Sequence, residues 1–166
     1  MNQIHAERPD LSIIQGRTVV VFGGEGVWGK RFVDAVRDKV QRVIVIEKGT
    51  DPEEMLRAVE ESSVMILATP DPEIRGILEQ ARAKMHAELA IIDCATNKGL
   101  FEDVLHDLAE EGLSICTTHP LVRPQTPPRG QNVLLMPVGE NAQIATDVAR
   151  CIYRILGIKY SGCGGY

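Results

Sequence analysis

The sequence lacks a surplus of positive charge: 18 Lys and Arg stand against 23 Asp and Glu, for a formal net charge of −5. Recognition of a phosphate backbone is built on clustered excess Lys and Arg, so nucleic acid is not an expected partner and any basic site must be local. No apolar run approaches the roughly 20 residues that cross a bilayer. The opening MNQIHAERPD also lacks the apolar core of a signal peptide. No membrane partner and a cytoplasmic location are the expectation. Cys94, Cys116, Cys151 and Cys163 form neither a Cys-x-x-Cys pair nor a metal spacing. Three of them lie in apolar segments, where free thiols behave as small buried hydrophobes, so the expectation is a reducing compartment and no metal. Internal repeats and low-complexity tracts are missing too.

What is present is a chain of 166 residues, 44% hydrophobic, enough for one domain with a sizeable core. From Thr18 onward one unit recurs: a short β-branched run, a turn, then a longer amphipathic stretch. The runs are TVVVFG (18–23), RVIVIE (42–47), VMILAT (64–69), LAIIDCAT (89–96), LSICTT (113–118) and NVLLMPV (132–138). Near-continuous apolarity predicts strands covered on both faces, as in a parallel sheet between helices. Helices are predicted over 52–61, 72–86, 99–111 and 140–156, with Asp51 and Asp71 as N-caps ahead of Pro52 and Pro72. The expected class is a Rossmann-type, doubly wound α/β fold with a mostly parallel sheet and helices on both faces. The expected boundaries are a lead-in over 1–17, a nucleotide-binding domain over 18–160 and a tail over 161–166.

The segment VVVFGGEGVWGK puts Gly24, Gly26 and Gly29 in Gly-x-Gly-x-x-Gly spacing, after a buried strand and at the start of a helix. The first glycine allows the tight turn, the second admits a pyrophosphate to the backbone, and the third lets helix and strand pack closely. Glu25, Val27 and Trp28 fall within that loop. The next strand ends at Glu47, where a carboxylate can accept hydrogen bonds from both ribose hydroxyls of an adenosine. NAD is the expected cofactor. Lys48, beside Glu47, keeps NADP open, although the carboxylate would repel its phosphate. Trp28 packs near the cofactor, against a missing part of the protein, or in the core.

Three further segments follow later strands: ATPDPEI (68–74), IIDCATNKG (91–99) and TTHPLVRPQT (117–126). With the glycine loop, their order and spacing resemble the nucleotide-binding domain of the prephenate dehydrogenase family, with its arogenate and cyclohexadienyl relatives, from about Thr18 to Ile158. The family's Asp-x-x-Ser-x-Lys motif corresponds to Asp93, Thr96 and Lys98, threonine replacing serine. Its His-Pro pair corresponds to His119 and Pro120. The resemblance implies hydride transfer to the nicotinamide from C4 of a small anionic cyclohexadiene, with decarboxylation, as in tyrosine biosynthesis. It assigns catalysis to His119 and Thr96, and the cofactor's nearer ribose to Thr69 and Pro70, with Asp93 close by. For the substrate it points to Thr96 and Lys98.

The loop TTHPLVRPQTPPRG (117–130) has four prolines, two arginines and no carboxylate. It reads as an ordered cationic ledge for an anion. Arg123, Gln125 and Arg129 are its candidate substrate contacts, with solvated arginines or arginines bound to backbone carbonyls as the alternative. Arg123 departs from the family, which favours a small residue there. His5, His86 and His106 read as solvated surface groups. The family continues into a helical dimerisation domain absent here, so a homodimer or that missing domain is the expected partner. Two other readings stand beside the first: a dehydrogenase for a 4-amino analogue of prephenate, and a weakly catalytic dinucleotide-binding module that needs a partner chain.

Overall fold

The β-branched runs become seven strands of one sheet in the structure, a computed structural model that describes residues 8–162. They are β1 (Thr18–Phe22), β2 (Arg42–Ile46), β3 (Val64–Leu67), β4 (Ala90–Asp93), β5 (Ser114–Pro120), β6 (Asn132–Val138) and β7 (Lys159–Gly162). The helices are α1 (Val27–Val36), α2 (Pro52–Glu61), α3 (Asp71–Ala81), α4 (Glu102–Glu110) and α5 (Gln143–Ile155). The strand order is β2-β1-β3-β4-β5-β6-β7, and β1 to β5 are parallel. This is the expected Rossmann-type α/β fold.

Alternation along each strand divides the core in two. Val20, Phe22, Met65, Leu67 and Ile91 pack under α2, α3 and α4 on one face. On the other, Val19, Val21, Ile66 and Ile92 pack under α1 and α5. Helices on both faces explain why the central strands carry no polar alternation. The chain reverses between β1 and β3, so the crevice where doubly wound sheets bind ligands opens at the carboxyl ends of these strands.

Several expectations need correction. Strand β6 runs antiparallel to β5, because the connection over 121–131 contains no crossover helix and returns directly. His119 and Pro120 belong to β5 itself, paired with Leu134 and Val133, and not to a loop. Thr117 and Thr118 are buried in the core. Helix α3 ends at Ala81, followed by a 3-10 turn over Arg82–Lys84, and another such turn over Lys98–Leu100 precedes α4. Asp51 caps α2 through the N–H groups of Glu53 and Glu54. Asp71 caps nothing in its own helix; its carboxylate accepts from Thr96 N at 3.2 Å and Asn97 N at 2.7 Å. His86 and His106 are both half-buried, and His86 Nε2 is bonded to the carbonyl oxygen of Ser62 at 3.0 Å. Within the lead-in, Ile14 is fully buried. Strand β7 runs two residues into the segment read as a tail, with the Tyr160 ring flanked by Arg150 and Arg154. His5 and Cys163 lie outside the described residues.

Candidate cofactor and active site

The glycine loop is shaped by contact distances. Gly23 makes the left-handed step, with φ of 76°, and a side chain there would meet the Ala68 carbonyl oxygen at 2.8 Å. The tight-turn role thus belongs one residue ahead of the Gly-x-Gly-x-x-Gly spacing. Gly24 has an ordinary φ and is small because Val45 would lie 2.6 Å from any Cβ. At Gly29 a Cβ would fall 1.9 Å from the Gly23 carbonyl oxygen, so only glycine lets α1 start against the turn. Gly26 caps α1 in extended conformation without a side-chain bond, leaving the helix's first N–H groups directed at the crevice.

Glu47 follows β2, and its Oε1 accepts from Glu25 N at 2.8 Å. The carboxylate and glycine loop therefore hold one another in register. A cleft of about 270 Å³ beside them is lined by Phe22, Glu47, Lys48, Thr69 and Ile77 among others. Thr69 Oγ1 is buried and has no hydrogen-bond partner. A bare turn closed to any Cβ, exposed helix N–H groups, a carboxylate at the next strand end and an orphaned hydroxyl in the cleft fit a dinucleotide. Lys48 is exposed and pairs with Glu73 at 3.4 Å. Pro70 is exposed at the head of α3.

Beyond β4 the side chains brace one another. Lys98 Nζ donates to Asp93 Oδ1 at 2.6 Å and to the carbonyl oxygens of Ala95 and Thr118, both at 2.9 Å. All three of its N–H groups are spent, so the structure makes Lys98 a strut between β4 and β5 and offers no free ammonium to a carboxylate. Asp93 is buried, with Oδ2 unpartnered, and faces Lys98 and Ala95 N. Burial pushes its carboxyl up, against the pull of the Lys98 ammonium. Below this, Thr118 Oγ1 bonds the Tyr153 hydroxyl and donates to the Asp93 carbonyl oxygen, each at 2.6 Å. Thr96 is exposed on the loop held by Asp71, and His119 is half-buried at the end of the neighbouring strand. Register places Thr117 opposite Asp93, so Thr96 and His119 lie at the same sheet edge.

Arg123, Gln125 and Arg129 are all exposed on the loop over 121–131. Arg129 packs its stem against Gly157, and Gly130 N donates to the Gly157 carbonyl oxygen at 2.8 Å. Trp28 resolves as a core-edge residue: its ring lies 5.7 Å from Phe32, which meets Tyr153 edge-on. Among the described residues, no cluster of His, Cys, Asp and Glu is arranged to hold a metal, and no helix is long and apolar enough to cross a membrane.

No protein-family model matches the chain. A probable arogenate/prephenate dehydrogenase of Methanocaldococcus jannaschii is 24% identical over 136 residues, covering 74% of this chain and 30% of that protein. Prephenate dehydrogenase from A. aeolicus, solved with hydroxyphenyl propionate and NAD+, superposes with a TM-score of 0.67 at 14% identity. That match covers 91% of this chain and 61% of the other. The chain resembles the prephenate and arogenate dehydrogenases. This resemblance spans only part of their length. The same fold extends further: a reductive aminase from Aspergillus terreus, solved with NADPH and ethyl levulinate, gives a TM-score of 0.63 at 13% identity. It covers 89% of this chain and 55% of that one.

Proposed function

We propose that this chain is the nucleotide-binding part of an NAD-dependent dehydrogenase that oxidises prephenate or arogenate. One observation carries the reading: the glycine turn locked to Glu47 and the Thr96–His119 pair occupy one carboxyl edge of the sheet. Gly24 to Gly29, with Glu25 of the turn and Val27 and Trp28 of the first turn of α1, would hold the pyrophosphate region. Glu47 would take the adenosine ribose, and Thr69 and Pro70 the other ribose. When bound, the nicotinamide supplies a hydride acceptor. A ring nitrogen of His119 accepts the hydrogen bond of the substrate's C4 hydroxyl while the C4–H bond breaks. The pair freed by loss of the ring carboxylate as carbon dioxide completes the aromatic ring. Thr96 supports the same hydroxyl. Arg123, with Gln125, takes a substrate carboxylate. Arg129, packed at the loop's base, is the weaker candidate.

NAD is favoured over NADP because Glu47 stands where a ribose phosphate would sit. The active form has a further wall, supplied by a second copy or a helical domain, because the edge carrying His119 is open and hydride transfer benefits from excluding water. Buried free thiols fit a reducing cytoplasm. Single-turnover measurement of reduced-nicotinamide absorbance with prephenate, arogenate and the 4-amino analogue tests the reading. NAD binding without turnover of any of them would favour the binding-module alternative.

A further inference from the structure

Arg31, one helical turn beyond Trp28 on α1, has no part in the site so far. Its Nη2 donates to two backbone carbonyls of the proline-rich loop, Pro124 O at 2.6 Å and Thr126 O at 2.8 Å. Its guanidinium lies over the Trp28 ring, 4.8 Å from the centroid. Trp28 continues through Phe32 to Tyr153, whose hydroxyl holds Thr118, the neighbour of His119. The loop's two ends are anchored by Leu121 N to Asn132 O at 2.8 Å and by Gly130 N to Gly157 O at 2.8 Å. Among the described residues, Arg31 alone reaches its middle from another element.

We propose that Arg31 is a positioning residue that clamps the loop over 121–131 to the first turns of the dinucleotide helix and so sets where Arg123 presents its charge. This rests on the substrate role given above to Arg123, but the clamp itself stands on the contacts. Prolines alone fix local φ and cannot fix where an 11-residue excursion points, because they withhold the N–H groups that would tie it down. A guanidinium can take two carbonyls at once from a fixed plane, and stacking on an aromatic ring holds that plane. The position thus asks for arginine. Lysine carries a charge without the planar face, so it would lose the stack on Trp28 that fixes the direction of the donors.

Limited trypsin digestion tests the clamp without reference to catalysis. Arg123 precedes proline and resists trypsin, so Arg129–Gly130 reports opening of the loop. Arg31→Met keeps the apolar stem on Trp28 and removes the donors. It should raise the native-state cleavage rate after Arg129 by at least about tenfold, with Arg31→Lys in between. Affinity for NAD should stay within about twofold, since the clamp lies off the glycine turn. The KM for prephenate should rise while kcat changes less, as for a contact shared by ground and transition states. Unchanged cleavage in a folded Arg31→Met protein would overturn the clamp. Faster cleavage with an unmoved KM in a preparation that turns over would overturn the positioning role. Failure of unmodified protein to bind NAD would instead sink the proposed function and leave the cleavage result standing. Should Arg31→Met not fold, Arg31→Lys against unmodified protein gives the same comparison.

Discussion

The ammonium of Lys98 lies 2.6 Å from Oδ1 of Asp93, at the point where β4 leaves the sheet. Asp93 is 1% exposed on its side chain and Lys98 17%, so neither charge has water in place of the other. Removing one partner of such a pair is expected to cost about 3 to 5 kcal/mol, because the remaining charge stays buried. Lys98→Met should therefore lower the denaturant midpoint with an unchanged m-value. It should also remove the force that opposes burial at Asp93, moving that carboxyl further up. A carboxyl raised in the folded state favours folding below its unfolded value and loses that contribution as pH rises through the folded one. The deficit of Lys98→Met should therefore be largest near neutrality and shrink toward acid pH. A deficit that grows with acid would show that the pair is not the source.

Gly29→Ala places a methyl where the Gly23 carbonyl oxygen stands, 1.9 Å from the ideal Cβ. Backbone cannot yield as a flexible side chain does, so α1 must move off the turn. Overpacking of this kind costs about 1 to 3 kcal/mol. Loss of NAD affinity should accompany the loss of thermal stability, since the turn and the helix N-terminus form one cradle. Calorimetric titration and a melting curve on one preparation check both.

Thiol chemistry gives a prediction with a defined pH sign. Burial pushes Cys94 up to about 12 and Cys116 up to about 11, and raises Cys151 as well. Thiolate is the reactive form, and at pH 8 a thiol with a pKa of about 12 is ionised to the order of 10⁻⁴. Native protein exposed to an aromatic disulfide reagent at pH 8 should leave these three cysteines unmodified, with reaction appearing in denaturant. Cys94 is only half-buried, so fast native labelling there would show that its thiol is not held in the unreactive, protonated form.

Most of the fold was legible because the central strands are buried on both faces and β1 begins a glycine turn whose spacing is sterically dictated. Helix α2 matched residue for residue, its cap being a local signal in Asp51-Pro52. What was not legible depended on partners distant in sequence. The direction of β6 follows from the path of a loop, and its apolar run reads alike in either direction. Asp71 precedes a proline as a cap would, yet Thr96 and Asn97 take its carboxylate from 25 and 26 residues away. Lys98 carries the charge of a substrate ligand, and only the fold shows its three acceptors. Arg31 gave one local sign, its helical spacing from Trp28; the carbonyls it holds lie 93 and 95 residues on.

Glu47 makes two uses of one carboxylate: Oε1 binds Glu25 N, while the residue lines the cleft. Glu47→Ala should weaken NAD by about tenfold or more, as expected for lost hydrogen bonds to a charged acceptor, and loosen the glycine loop. Glu47→Arg should shift preference toward NADP by replacing repulsion with attraction. Tighter binding of NADP than of NAD by the unmodified protein, measured calorimetrically, would overturn this assignment.

His119 is the penultimate residue of β5, paired with Leu134, one residue beyond a threonine bonded to Tyr153 and to the Asp93 carbonyl oxygen. Its backbone is fixed by the sheet and its side chain sits at the edge that Thr96 shares, so its loss should alter chemistry and not architecture. His119→Asn should lower single-turnover hydride transfer by about 10²- to 10⁴-fold, the usual contribution of a positioned acid–base group. Asparagine retains a hydrogen-bonding group but cannot take up a proton from the substrate hydroxyl. NAD affinity and melting temperature should stay close to those of the unmodified protein, which separates loss of chemistry from loss of fold. Thr96→Val should act on the same step with a smaller effect, as a single neutral hydrogen bond is worth about 1 kcal/mol. Equal rates for His119→Asn and unmodified protein, in a preparation that turns over, would remove the imidazole from the reaction and leave Glu47 and the glycine turn to support cofactor binding alone.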